Sequence, residues 1–196
     1  MARKGLSKEK IIEASINFIR EKGYENFSIR ELAESLGCNP SSLYNHIDSL
    51  EDVNTTICLT AINQLGQWQK EAIDGKAREE AVTALSLAYR RFAKENRELY
   101  KIVMTLPAIS HNNKIIEEEA EHIIKPIMQV LDMFQISNEM KMDYQRFWRS
   151  ILHGFVDQEE AGYFSHFPVN VDYSYELAIK NLLLTLEIAE NNYKSK

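Results

Sequence analysis

A chain of 196 residues, 44% hydrophobic and 27% charged with 7 Gly and 4 Pro, can bury a sizeable core and is neither disordered nor low-complexity. Its 23 basic and 29 acidic residues leave a net charge of −6, which permits a small basic arm and nothing more strongly cationic. Two cysteines, Cys38 and Cys58, make neither a disulfide framework nor a zinc site, and a chain that manages without them suits a reducing compartment. The arm holds Arg3, Lys4, Lys8 and Lys10 against Glu9, but Glu13, Asn17, Arg20 and Glu21 break up the next stretch of chain, so no secretory signal is expected. The uncharged stretch 53–69 carries two Asn, three Thr and three Gln, too polar for a membrane span. The expected location is the cytoplasm.

Apolar residues recur at three and four along the chain, the helical period, and no long segment alternates with period two. Residues 7–22 place Ile11, Ala14 (or Ser15) and Phe18 on one face, with Ser7 as cap and Gly23 as a left-handed stop. Ser28 with Glu31 has the form of a capping box and opens a helix that buries Leu32, Ala33 and Leu36 before Gly37. Asn39-Pro40 opens a short helix reaching about His46. Longer stripes come next: Val53, Ile57, Ala61, Leu65 and Trp68; then Ala81, Leu85, Ala88 and Phe92. Residues 99–104 predict a short helix closed by Pro107. Ile116, Ile123, Ile127, Leu131 and Phe134 predict a long one kinked at Pro126. The last two helices are expected at about 139–164 and 172–193. The fold class is all-α, with about nine helices.

Gly37-Cys38-Asn39 is a turn short enough to force two helices to cross steeply. Ala33 stands where crossing helices leave little room, and Leu32, Leu36 and Leu43 fill the space between them. An ordinary helical hairpin also uses glycine. The third helix, however, carries Ser41, Ser42, Tyr44, Asn45 and His46, uncharged hydrogen-bonding groups suited to base edges and phosphates. That combination favours a DNA-binding helix-turn-helix.

The run FSIRELAESLGCNPSSLYNHI (27–47), with IIEASINFIREKGY (11–24) before it, resembles the signature of TetR-type transcriptional regulators over residues 7–53. The resemblance implies a homodimeric one-component regulator, usually a repressor, whose two heads (1–49) enter successive major grooves of a palindromic operator. It implies DNA contacts by Lys4 in the arm, by Ser28 and Arg30 at the start of the second helix, and by Asn39, Pro40, Ser41, Ser42, Tyr44, Asn45 and His46. The family usually has a lysine just beyond the recognition helix. Here Leu50 stands there, among Asp48, Glu51 and Asp52, and loss of one cation removes about one unit of salt dependence. The alternative reading is therefore a related protein that acts through protein contacts with weak or no DNA binding.

Residues 50–196 are expected to form a helical effector-binding and dimerisation domain. FWRSILHGFVDQEEAGYF (147–164) is similar to the eighth helix of a TetR subgroup with a Trp and a His-Gly pair, whose last two helices pair with a second copy. Gly154, Ala161 and Gly162 supply flat spots for a close approach, and Ile179, Leu183 and Leu186, with Leu177, Leu182 and Ala189, an apolar stripe that a monomer would expose. Trp68, Tyr89, Phe92, Met104, Met128 and Trp148 are the residues expected to line a cavity for a small, mostly apolar effector, against the plainer reading of an ordinary core. The five histidines are scattered and no nucleophile, phosphate-loop or metal motif accompanies them; the acids near His122 read as a solvated face. No catalysis, cofactor, metal or membrane partner is expected.

Overall fold

The computed structural model describes residues 5–109 and 114–195, so Lys4 of the basic arm and His111 lie outside the described residues. Among the described residues there are nine α-helices, two short 3-10 turns and no strand. The Cα framework divides into two compact units, Met1–Gln64 with Lys94–Ala120, and Leu65–Ala93 with Glu121–Lys196. The first unit extends into α4 (Leu50–Ile73).

In the first unit Ser7 accepts a hydrogen bond from the Lys10 N–H and opens α1 (Lys8–Lys22). Ile11 and Ile19 are fully buried along its inner face, and Ser15 between them returns its hydroxyl to the Ile11 carbonyl. Gly23 ends the helix at φ 84° and ψ 152°, a positive-φ conformation but not the left-handed helical one expected. A 3-10 turn (Tyr24–Asn26) leads to α2 (Ile29–Ser35) and α3 (Pro40–Leu43). α3 is shorter than expected, yet the chain keeps turning: the N–H groups of His46 and Ile47 both donate to the Leu43 carbonyl.

α6 (Arg97–Ile109) corrects the expectation that Pro107 closes a short helix, since the helix runs through it. A proline removes one N–H at a cost of about 3 kcal/mol. Burial of Leu99, Tyr100, Ile102 and Val103 on the same helix offsets that penalty, which local propensity alone could not reveal.

The second unit is built from the later part of α4, α5 (Arg78–Glu95), the later part of α7 (Lys114–Leu131), α8 (Asn138–Glu160) and α9 (Val171–Lys194). α8 stops at Glu160, short of the expected 164, because Gly162 adopts φ 78° and a 3-10 turn (Tyr163–His166) comes directly after it. Where α4 meets α7, a Cβ on Gly66 would stand 2.7 Å from the His122 carbonyl oxygen. Pro126, four residues further along α7, has no N–H to give that carbonyl. Glycine is thus required by a close backbone approach.

Arg90 ties three helices together. It makes two hydrogen bonds to Glu159 of α8, at 2.8 and 2.6 Å, and an ion pair of 2.8 Å with Asp172 of α9. Its guanidinium lies 4.8 Å from the centre of the Tyr175 ring. Arg78 at the start of α5 binds Glu190 of α9 at 2.8 Å, and the Gln135 N–H donates to the same carboxylate. These bonds hold the Glu190 carboxyl at about 2, well below the usual range, with Arg78 the largest cause.

Candidate nucleic-acid interface

The turn between α2 and α3 is built by local bonds. Ser28 accepts from the Glu31 N–H at 3.3 Å, the half of the capping box that orders the first turn of α2. Gly37 takes φ 63°, and the Cys38 N–H reaches back to the Ala33 carbonyl at 3.0 Å. Leu32, Ala33, Leu43 and Ile47 are buried at 4% exposure or less. Small Ala33 and the apolar leucines are therefore packing residues, as their spacing predicts.

That packing turns the polar face of α3 outward. Asn39, Pro40, Ser41, Asn45 and His46 are exposed, Ser42 is half-buried, and Tyr44 is 51% exposed. Asn39 occupies the cap position of α3 without a side-chain capping bond. Arg30, the second residue of α2, is also exposed, whereas Ser28 is half-buried and engaged as a cap. Of the residues expected to contact DNA, Arg30, Asn39, Pro40, Ser41, Tyr44, Asn45 and His46 are exposed, Ser28 and Ser42 are half-buried, and Lys4 lies outside the described residues.

The acids beyond α3 are not all exposed to solvent. Ser49 caps α4 by accepting from the Asp52 N–H at 3.0 Å. Lys8 Nζ pairs with Asp52 at 2.9 Å, joining the starts of α1 and α4, and this bond raises the Lys8 pKa. Asp48 and Glu51 remain exposed, and Leu50 is half-buried. Pairing of Asp52 had no local signal, because its partner lies 44 residues away.

The residues expected at an effector cavity are divided between the two units. Met104 belongs to the first unit and the other five to the second. Trp148 is fully buried and its indole N–H donates to Ser86 Oγ at 2.9 Å; Phe92 is fully buried and Tyr89 nearly so. Trp68 meets Phe92 edge-on at 5.4 Å and carries Arg91 over its face at 4.7 Å. An open groove of about 400 Å³ on the second unit is lined by Trp68, Ala72, Ala84, Leu87, Ala88 and Arg91, with Glu71 and Lys76 at its polar edge. Phe92, Tyr89, Met128 and Trp148 are not part of that lining.

The expected dimer residues also separate. Ile179 and Leu186 are buried, beside Tyr175, Leu182 and Ala189, and Leu183 is half-buried. This corrects the placement of Ile179 and Leu186 on a surface stripe: they serve the chain's own core. The outward apolar stripe of α9 is Tyr173, Leu177, Leu184 and Ile188, each about half exposed, on the opposite side of the helix. On α8, Gly154 and Ala161 are exposed on the same side as Phe147, and a Cβ on Gly154 would meet nothing within 4 Å. Gly162 has a local reason in its positive φ. The four residues of the outward stripe recur at intervals of four and seven, a signal present in the sequence but hidden by the stronger stripe opposite.

These features define a helix-turn-helix protein with a second compact helical unit. The model of bacterial regulatory proteins of the tetR family matches residues 11–52, and the model of the tetracyclin repressor-like C-terminal domain matches residues 82–182. The chain is 30% identical over 158 residues to the uncharacterized HTH-type transcriptional regulator Rv0681 of Mycobacterium tuberculosis, covering 80% of this chain and 72% of that one. In fold it is similar to a protein of unknown function from Rhodococcus sp. RHA1, with a TM-score of 0.82, 15% identity, and coverage of 94% and 97%. It is also similar to ActR of Streptomyces coelicolor in complex with (S)-DNPA, with a TM-score of 0.66, 14% identity, and coverage of 95% and 99%. The chain belongs to the TetR family of transcriptional regulators.

Among the described residues no helix is long and apolar enough to cross a membrane, and no group of His, Cys, Asp and Glu is placed to hold a metal ion.

Proposed function

We propose that the protein regulates transcription as a homodimer, each α3 entering a major groove of a palindromic operator. The observation that carries this reading is the division of the motif: Leu43 and Ile47 are buried while Ser41, Tyr44, Asn45 and His46 stand outward. Arg30 and Tyr44 contact DNA in this reading, and the half-exposed stripe of α9 with Phe147 and Gly154 of α8 meets a second copy. Large apolar patches on a monomer commonly mark such a contact. A small, mostly apolar effector binds the second unit and shifts the balance between operator-compatible and incompatible arrangements of the dimer. The relative ActR, in its complex with (S)-DNPA, supports a ligand-binding reading of this fold.

An electrophoretic shift on palindromes from the region upstream of the protein's own gene tests the operator. Arg30→Ala and Tyr44→Ala should each weaken binding by about 1–3 kcal/mol. Unchanged affinity in both would remove them from the interface. A second reading, regulation through protein contacts, is favoured by exposed Asp48 and Glu51 beside Leu50, which repel a phosphate backbone. It requires no shift at low salt and a stable protein partner instead.

A further inference from the structure

Six polar or charged side chains are buried among the described residues, and five of them have partners. Ser15 donates to the Ile11 carbonyl, and Ser86 joins Val82 to Trp148. Arg90 holds Glu159, Gln145 accepts from Arg149, and Glu190 is bound by Arg78. Gln69 is the exception. It is fully buried on the inward stripe of α4 that also contains Ile62, Leu65 and Ile73, yet neither its amide nitrogen nor its amide oxygen has a hydrogen-bond partner. A leucine would fill the same register without stranding a donor and an acceptor, so the amide weakens the unliganded fold for no local return.

Resting on the regulator reading, we propose that Gln69 is the polar anchor of a site in the second unit that opens as its ligand enters, since protein covers both amide atoms in the unliganded fold. The site takes a small uncharged molecule that presents a donor and an acceptor side by side: a carboxamide, lactam or imide. A primary amide offers N–H and C=O in one plane, and its complement is the same pair reversed. A carboxylate only accepts, so it would leave the Gln69 oxygen unpaired and bring a buried charge as well. Arg90, the buried cation, is already committed to Glu159 and Asp172 and does not neutralise one. Leu65 and Ile73 on either side make the remainder of the ligand apolar.

Thermal unfolding of the full chain and of Gln69→Leu, alone and with benzamide, 2-pyrrolidone, succinimide or benzoate, tests the site. Without a probe, Gln69→Leu should melt higher than wild type by about 2–5 °C, because the stranded amide is gone. At least one of the three neutral probes should raise the wild-type midpoint and leave the variant's unchanged, and benzoate should raise neither. A lower-melting variant, equal shifts in both proteins, or no shift from any neutral probe overturns the proposal. So does a trapped water on both amide atoms that persists with the probes present. Should the variant fail to fold, the side-chain amide resonances of Gln69 in wild type must move with a neutral probe and not with benzoate. Operator shifts measured on both proteins keep the readings apart. Retained DNA binding without a probe effect sinks only this site, whereas probe binding without an operator shift sinks only the regulator reading.

Discussion

Within the α2–turn–α3 segment, polar groups find partners close by in sequence, and the longer reach from Lys8 to Asp52 lies outside it. Ser28 caps its own helix at Glu31, and Cys38 bonds back to Ala33. In the second unit the corresponding bonds reach across the chain: Arg90 to Glu159 spans 69 residues, and Arg78 to Glu190 spans 112. Short-range bonds need little loop closure and accompany ordinary helix formation, so the motif's turn is specified wherever those residues occur in that order. Long-range pairs exist only after helices have packed, and burial of Arg90 and Glu190 reduces the solvent screening of their bonds. The turn of the helix-turn-helix is thus built locally, while the second unit is held by contacts that depend on the completed fold.

Arg90→Met offers the sharpest way to break that contrast. It removes the guanidinium bonds to Glu159 and Asp172, and should destabilise the protein by about 3–5 kcal/mol in urea unfolding. A loss below 1 kcal/mol would mean the second unit does not rely on its long-range pairs. Glu190→Gln is next, with an expected loss of about 2 kcal/mol at neutral pH from weaker bonds to Arg78 and the Gln135 N–H. Its pH dependence carries a sign. Folding lowers this carboxyl from 4.5 to about 2, so its contribution is full above about pH 4.5 and fades as the pH falls towards 2. The variant's stability should therefore change less than that of wild type across that acid window. Ser28→Ala should produce the smallest effect, about 1 kcal/mol, through the lost cap of α2. Hydrogen exchange should show that loss concentrated in α2 and its turn; a uniform loss across both units would contradict the local character of the motif.

Ser7, Ser28 and Gly37 declare their roles in one dimension, since a cap or a positive-φ turn is made by residues within a few positions. Leu43 is legible for the same reason: burying it turns Ser41, Tyr44 and Asn45 outward, whereas the burial of Ile47 beyond the short helix appears only in the fold. α9 shows where this ends. Both of its faces are apolar, and only packing reveals that Ile179 and Leu186 face the core while Tyr173, Leu177, Leu184 and Ile188 remain outside. Pro107 is a second case, a local stop signal overridden by the burial of its helix.

From its order of residues alone, the protein's all-helical character, its motif near the start and the outward polar face of α3 can be read, because each depends on helical period and neighbours in sequence. Which apolar face of α9 is interior, which carboxylates Arg90 and Arg78 hold, and that Gln69 is enclosed without a partner were decided by tertiary packing. Those outcomes depend on what another helix, far away along the chain, brings within a few ångströms, and no spacing rule encodes that distance.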